Sequence, residues 1–486
     1  MNFGATDIPP TLPALARARA SGGRGALWVL LAVCWCAGCR TYTTQSREMT
    51  SAWALGDAPG AARAFARQAE RKTASKDAVI WHLEAGTATR AAGDFAASNR
   101  HFDTAAARIE AYENRPKVLL SNEAGALFSN QQNLPYEGRA YDKILLHTYK
   151  ALNYLALGER DRARPELIRA YQRQQDAVAE NRRRLEEALE AARHSNQREV
   201  VARTQADPRF QQATASLTRG LEGFRAYADY VNPFTVYLDG LYFLHAGAGG
   251  TDLERAIKSL RRVLEVADHH PAVAADLALA EARAAGRTAA SGPLTYVIFE
   301  TGRAASREQV RLDIPILVAD VSYIGAAFPQ LVFHEDYEPH LSVEAGGTRQ
   351  TTVPVARVDA IIAQDFRNEL PAIITKTLIA TAAKAAAAYV VNDAARRQDE
   401  GVGLLARLVT AAVQASVNIA DTRSWTTLPR EFQVARLTPP ADRTLRLSTS
   451  GQVAQRVTLI DGEVTVVYVK SMRAGGPLWI HQFRLR

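Results

Sequence analysis

Three observations predict an α+β chain in two parts: an N-terminal all-α array of helical repeats, then an α+β domain. First, small residues recur at helix-contact spacing between Ser51 and Ala285. Second, the texture changes at Arg287–Pro293, RTAASGP, where helical periodicity stops. Third, alternating segments rich in β-branched and aromatic residues follow, interrupted by one long Ala-rich stretch of helical character.

The helical plan is plainest in Tyr136–Gln174. Two amphipathic segments meet at Gly158. Ala151 and Gly158 on one, and Ala163 and Ala170 on the other, are small where helices must touch; Tyr154 and Leu167 fill the space between. This is the spacing of a tetratricopeptide-like repeat. Gly86, Gly93-Asp94-Phe95, Ser98, Phe102 and Ala105 carry the same pattern, and Gly56-Asp57 with Ala61 and Phe65 carries it earlier still. The Gly-Asp steps suit interhelical turns, since Gly tolerates left-handed backbone angles and Asp caps the next helix. A fourth unit runs from Asn232 to Pro271 with Gly240, Phe243, Ala256, Leu260 and Val263, and a closing helix over Ala272–Ala285 caps the array. Between the third and fourth units, a long charged helical arm is expected near 170–204, solvated or protruding. A polar loop within Leu119–Ala140 precedes the third unit.

Near the N-terminus, Ala26–Cys39 reads ALWVLLAVCWCAGC, preceded by Arg17, Arg19 and Arg24. Its apolar core is too short to span a bilayer and fits a signal-peptide core. Ala37-Gly38-Cys39 resembles a bacterial lipobox, with Cys36 where Leu is usual. That likeness implies removal of residues 1–38 and lipidation of Cys39; several acyl chains on one residue give durable anchoring. Arg40 follows where an Asp commonly retains lipoproteins in the inner membrane, so an outer-membrane anchor facing the periplasm is expected. The chain divides into 1–38, 39–290 and 291–486.

The three cysteines all lie between Cys34 and Cys39. Cysteine-ligated metal, internal disulfides and a cysteine nucleophile are therefore excluded from the remainder. The net charge of +8 comes from arginines dispersed among acids, without the blocks and interleaved aromatics of a nucleic-acid surface. No phosphate loop, dinucleotide fingerprint or zinc signature occurs, so no cofactor, no metal site and no catalytic residue is assigned.

In the second part, strands are expected in LTYVIFETG, EQVRLDIPILV and LVFHEDYEPHLSVEAG, and again from EFQVAR to the C-terminus. Asp461-Gly462 reads as a hairpin turn. Val358–Asn392 and Gly403–Ile419 read as an inserted helical pair, giving an antiparallel sheet or sandwich with helices.

Four segments, YEGRAYDKILLHTYKALNYLALGE, NPFTVYLDGLYFL, the pair QDFRNELPAIITKTL and KAAAAYV, and ADTRSWTTLPREFQVAR, together resemble a family of bacterial tetratricopeptide-like lipoproteins. The resemblance covers nearly all of the chain after Cys39. It implies an envelope location and a repeat domain joined to a β-rich domain, and no activity, substrate or catalytic residue. Members often accompany lipoproteins that activate penicillin-binding proteins, a hint toward peptidoglycan synthesis.

The first helix of each repeat lines the concave face. There, Tyr141, Lys143, His147, Lys150 and Asn153, with Tyr136 and Glu137 before them, offer hydrogen bonds and stacking to an extended peptide. The alternative for Tyr141 and His147 is packing against the preceding unit. Trp425, within Asp421-Thr422-Arg423-Ser424-Trp425, is either a contact residue or an anchor where helix meets sheet. His334-Glu335-Asp336 and His340 lack the spacing of a zinc protease and read as an exposed polar loop. The expected function is a lipid-anchored scaffold binding a protein or peptide of the envelope. The alternative is a cell-wall hydrolase using His334, Asp336 and Asp421 of the C-terminal domain.

Overall fold

The computed structural model describes residues 41–115, 131–224, 232–267, 269–287, 292–314, 324–396 and 419–486. Cys34, Cys36 and Cys39 with their apolar segment, residues 116–130 of the polar loop, and nearly all of the helix expected over Gly403–Ile419 lie outside them. Residues 1–45 and 46–486 are separate compact units. In the first, residues 41–45 open helix α1 (Tyr42–Ala54), where Thr41 Oγ1 accepts the N–H of Thr44 at 3.2 Å. The remaining elements belong to the second unit, which is α+β.

Helices α2 (Ala58–Lys72), α3 (Ala78–Ala91) and α4 (Phe95–Glu113) pack in sequence. So do the pairs α5 (Ala140–Ala156) with α6 (Arg160–His194), and α9 (Pro233–Ala246) with α10 (Gly250–Val266) and α11 (Pro271–Ala284). The turns form as the Gly-Asp steps dictate. Gly56 and Gly93 adopt φ of +87° and +89°, and the carboxylates of Asp57 and Asp94 each accept an N–H three residues on, at 2.8 Å. Gly86 and Gly240 serve close packing: a Cβ on Gly86 would stand 2.4 Å from the Phe102 ring, and one on Gly240 2.8 Å from Leu260.

The charged helix α6 ends at His194, and α7 (Arg198–Ala206) and α8 (Pro208–Ala215) follow. It is not a free arm. α6 and α7 pack against α12 (Val358–Arg396), with Arg184 3.8 Å from Glu369 and Gln205 donating to Thr375 at 3.3 Å. No helix among the described residues is long and apolar enough to cross a membrane.

Eleven strands are described: β1 (Leu294–Thr301), β2 (Ser306–Ile314), β3 (Ile324–Val332), β4 (Ser342–Ala345), β5 (Thr348–Thr351), β6 (Val353–Arg357), β7 (Glu431–Leu437), β8 (Thr444–Ser448), β9 (Gln455–Thr458), β10 (Val464–Ser471) and β11 (Trp479–Arg484). They form a five-stranded sheet β11-β10-β1-β7-β6, a four-stranded sheet β5-β4-β8-β9, and a β2-β3 pair. Two sequence expectations are corrected. The larger sheet is mixed: β1 and β10 run parallel, in register from Leu294–Val464 to Thr301–Ser471. A parallel pair needs a long crossover, and the intervening chain, with α12 and the small sheet, supplies it. Asp461-Gly462 is no hairpin, because β9 belongs to the small sheet and β10 to the large one; the turn carries the chain between layers.

Side chains of the large sheet alternate between two cores. Val297, Phe299, Val467, Val469 and Ala435 face Leu341, Val343, Leu445 and Leu447 of the small-sheet side, making a sandwich. Tyr296, Tyr468, Lys470, Phe432 and Arg436 contact the helices instead. Covered on both faces, β1 and β10 are buried at every residue.

Candidate functional site

Helices α3, α5 and α9 are buried along nearly their whole length. A free repeat array would leave their inner face to solvent. Here the large sheet and the segment 419–430 cover it. Phe432 stacks on Phe234 with centroids 3.9 Å apart, and Trp425 lies edge-on to Phe102 and Tyr149 at 6.0 and 5.9 Å. The Trp425 indole N–H donates to Thr87 and Thr427, both at 3.0 Å. The Glu84 carboxylate on α3 accepts the backbone N–H groups of Thr426 and Thr427 at 2.7 and 3.0 Å. Arg423, 1% exposed, pairs with Asp421 at 2.8 Å and Asp77 at 2.9 Å, and donates to the Leu134 carbonyl. Burial acts to raise the Asp421 carboxyl, but the Arg423 guanidinium holds it below the usual carboxylate range.

The residues expected to hold a partner are therefore engaged within the chain. Tyr136 donates to Asp142, and Arg139 donates to both Tyr136 and the Arg423 carbonyl. Lys143 pairs with Glu113 and Glu180 at 2.8 and 2.7 Å. His147 Nδ1 lies 2.6 Å from Glu166, which also takes Lys150 at 2.9 Å. Asn153 donates to Ser98 and Asn99 and accepts from Arg90. Tyr141 is buried; Glu137 alone of the set is exposed. The open concave groove expected from the sequence is thus filled, because the sheet layer uses the same face that a partner would.

The polar cluster of the C-terminal domain does not converge. His334 Nε2 meets Ser306 Oγ at 3.1 Å, Glu335 pairs with Arg430, Asp336 accepts the Ala474 N–H, and His340 is exposed. Burial, then Arg303 and Arg430, lowers the His334 imidazole to about 4. Among the described residues, no group of three or more His, Cys, Asp or Glu side chains is placed to hold a metal ion.

The opposite side of the array carries an open cavity of about 570 Å³ between α2 and α4, floored by α3. Small residues, Ala62, Ala66 and Ala97, leave the room. Arg63 projects from one wall and Arg100 from the other, and neither has an ion pair among the described residues. At the far end, Thr73, His82 and His101 form a chain. Thr73 Oγ1 donates to the Ala69 carbonyl at 2.9 Å and lies 3.1 Å from His82 Nε2; His82 Nδ1 lies 3.1 Å from His101 Nδ1. Burial, then His101 and Arg108, lowers His82 to about 4. Burial also lowers His101, against Glu70. Both rings are neutral at pH 7. The sequence holds no local signal for this pair, since a helix, a turn and 19 residues separate the two histidines.

Comparison of the chain with protein-family models, with curated proteins and with solved structures finds no match.

Proposed function

We propose that this chain is a lipid-anchored protein of the bacterial envelope, tethered through Cys39 to the outer membrane on its periplasmic side, and that it acts as a binding scaffold. In this reading the helix pairs are tetratricopeptide-like repeats, with Gly86 against Phe102 and Gly240 against Leu260 as their close contacts. The partner is an extended acidic segment of another envelope protein, within peptidoglycan synthesis. It lies in the outer groove between α2 and α4, not on the concave face.

The observation that carries this reading is the pair Arg63 and Arg100. Arg63 and Arg100, without ion pairs among the described residues, line opposite walls of a groove that the small residues Ala62, Ala66 and Ala97 keep open. Pro59 to Thr73 spans about 21 Å of helix α2, room for an extended peptide of about six residues. Inner-face cations, by contrast, already have acids: Lys143, Lys150 and Arg423 each meet at least two partners.

The test is a photo-crosslinking amino acid at Ala66 in intact envelopes. It should give a discrete adduct that disappears in the R63E/R100E variant and persists in R63K/R100K. Adduct formation indifferent to that charge reversal, or no adduct, counts against the groove. Palmitate labelling that survives Cys39→Ser would remove the anchor.

A further inference from the structure

We propose that the Leu55–Gly56 turn and the loops 449–454 and 472–478 form a lipid-docking surface, whose Leu55 and Val453 enter the headgroup region of the membrane that carries Cys39. This rests on the anchor reading above and not on the groove between α2 and α4.

Leu55 and Val453 are the most exposed large apolar side chains among the described residues, at 68% and 91%. Exposed hydrophobes scattered singly are ordinary, whereas grouped ones mark a contact surface. The β10–β11 loop groups these two. Pro477 packs on Gly56, where an added Cβ would stand 2.8 Å from the proline ring, and the Trp479 indole N–H donates to the Gly56 carbonyl at 3.3 Å. One residue before Pro477, the Gly476 carbonyl accepts the side-chain amide of Gln452 at 2.7 Å. Leu55 directly precedes Gly56 and Val453 directly follows Gln452, so Leu55, the exposed Pro477 and Val453 belong to one connected group of loops.

The loops are also held in place. Glu338, 1% exposed, accepts the Ser450 N–H with one carboxylate oxygen at 3.3 Å and the Gly475 N–H with the other at 2.7 Å. A loop that is already ordered loses little conformational freedom when its tip is buried. Arg473, in the same β10–β11 loop, is half-buried and in no ion pair among the described residues. Its guanidinium has the fork that a lipid phosphate accepts.

The length of the tether selects lipid as the occupant. Leu55 follows Cys39 by sixteen residues, and α1 takes thirteen of them. That helix covers about 20 Å and the remaining residues at most about 10 Å, so Leu55 stays within about 30 Å of an acylated Cys39. A stable protein partner needs about 800 Å² of surface on this side, far more than two aliphatic side chains and a proline offer. A bilayer needs only their insertion, because the tether already supplies the local concentration.

The experiment uses the full lipidated chain in vesicles of phosphatidylethanolamine and phosphatidylglycerol containing a nitroxide-labelled lipid. An environment-sensitive fluorophore is placed at Ala474→Cys, an exposed position in the β10–β11 loop, or at Glu190→Cys on α6 as a control. The probe at 474 should shift to the blue and be quenched by the nitroxide, and the probe at 190 should do neither. Leu55→Glu with Val453→Glu should cut the quenching at 474 about tenfold. Both positions are exposed, so a thermal melt should show the fold unchanged. A chain that floats with the vesicles while its 474 probe is no more quenched than the 190 probe overturns the docking and leaves the anchor standing. Quenching equal in the double variant overturns the assignment to these two side chains. A chain that does not float overturns the anchor and the docking together.

Discussion

Trp425 shows what one side chain does here. It is fully buried, packs edge-on to Phe102 and Tyr149, and satisfies its indole N–H twice. Trp425→Ala should cost about 3–5 kcal/mol in a denaturant melt, the range for large aromatic truncations in a core. A loss under about 1 kcal/mol would mean that segment 419–430 is only loosely seated. Asp359 adds a pH dependence. It accepts the Ala305 N–H at 2.7 Å, and burial pushes its carboxyl up to about 7 despite Arg430 at 3.6 Å. An acid whose pKa is raised on folding holds its proton in the native state while the unfolded chain has lost it. Its contribution is fully present below the unfolded value near 4 and declines as pH rises through about 7. Wild type should therefore lose stability relative to Asp359→Asn between pH 4 and pH 7. Parallel melts across that window check the sign; a difference that does not vary with pH contradicts it.

The helix hairpins depend on two kinds of glycine, and substitutions separate them. Gly86 permits contact: an added Cβ would meet the Phe102 ring at 2.4 Å, with Phe102 itself held between Tyr149 and Trp425. Gly86→Ala should cost about 1–3 kcal/mol through overpacking. Gly158 permits conformation: its φ is +77° and nothing lies within 4 Å of a Cβ. Gly158→Ala should cost about 1–2 kcal/mol from the left-handed backbone alone. The two differ in a double mutant with Phe102→Leu, which should relieve the first and leave the second unchanged. Equal relief of both would show that Gly158 is also packed.

These hairpins were legible in the sequence because their causes are local. A Gly-Asp step and a small residue facing a large one act within a few turns of chain. The α+β division was legible for the same reason. Strand pairing was not: β1 and β10 meet across 170 positions, from Leu294 to Val464, and nothing near either states the partner. Asp461-Gly462 has the composition of a hairpin turn and still joins two sheets, since the burial of Val457 and Leu459 in the sandwich decides the layer. The internal partners of the expected site residues were not legible for a related reason. Lys143, His147, Lys150 and Asn153 look like a polar binding face when read as one helix, but their partners Glu113, Glu166 and Ser98 lie on neighbouring helices.

Within residues 46–486 the helices and the large sheet are two sides of one core, and the segment 419–430 lies in that core as a bound peptide would. This arrangement leaves the inner face of helices α3, α5 and α9 no vacancy. Hydrogen–deuterium exchange on the full chain measures it most directly. Peptides covering residues 424–430 and helix α5 should exchange only with global unfolding, because the Thr426 and Thr427 amides are held by Glu84 beneath a buried Trp425. Exchange of residues 424–430 within seconds, while α5 stays protected, would show the segment leaving its seat and would return the concave face to service as the partner groove.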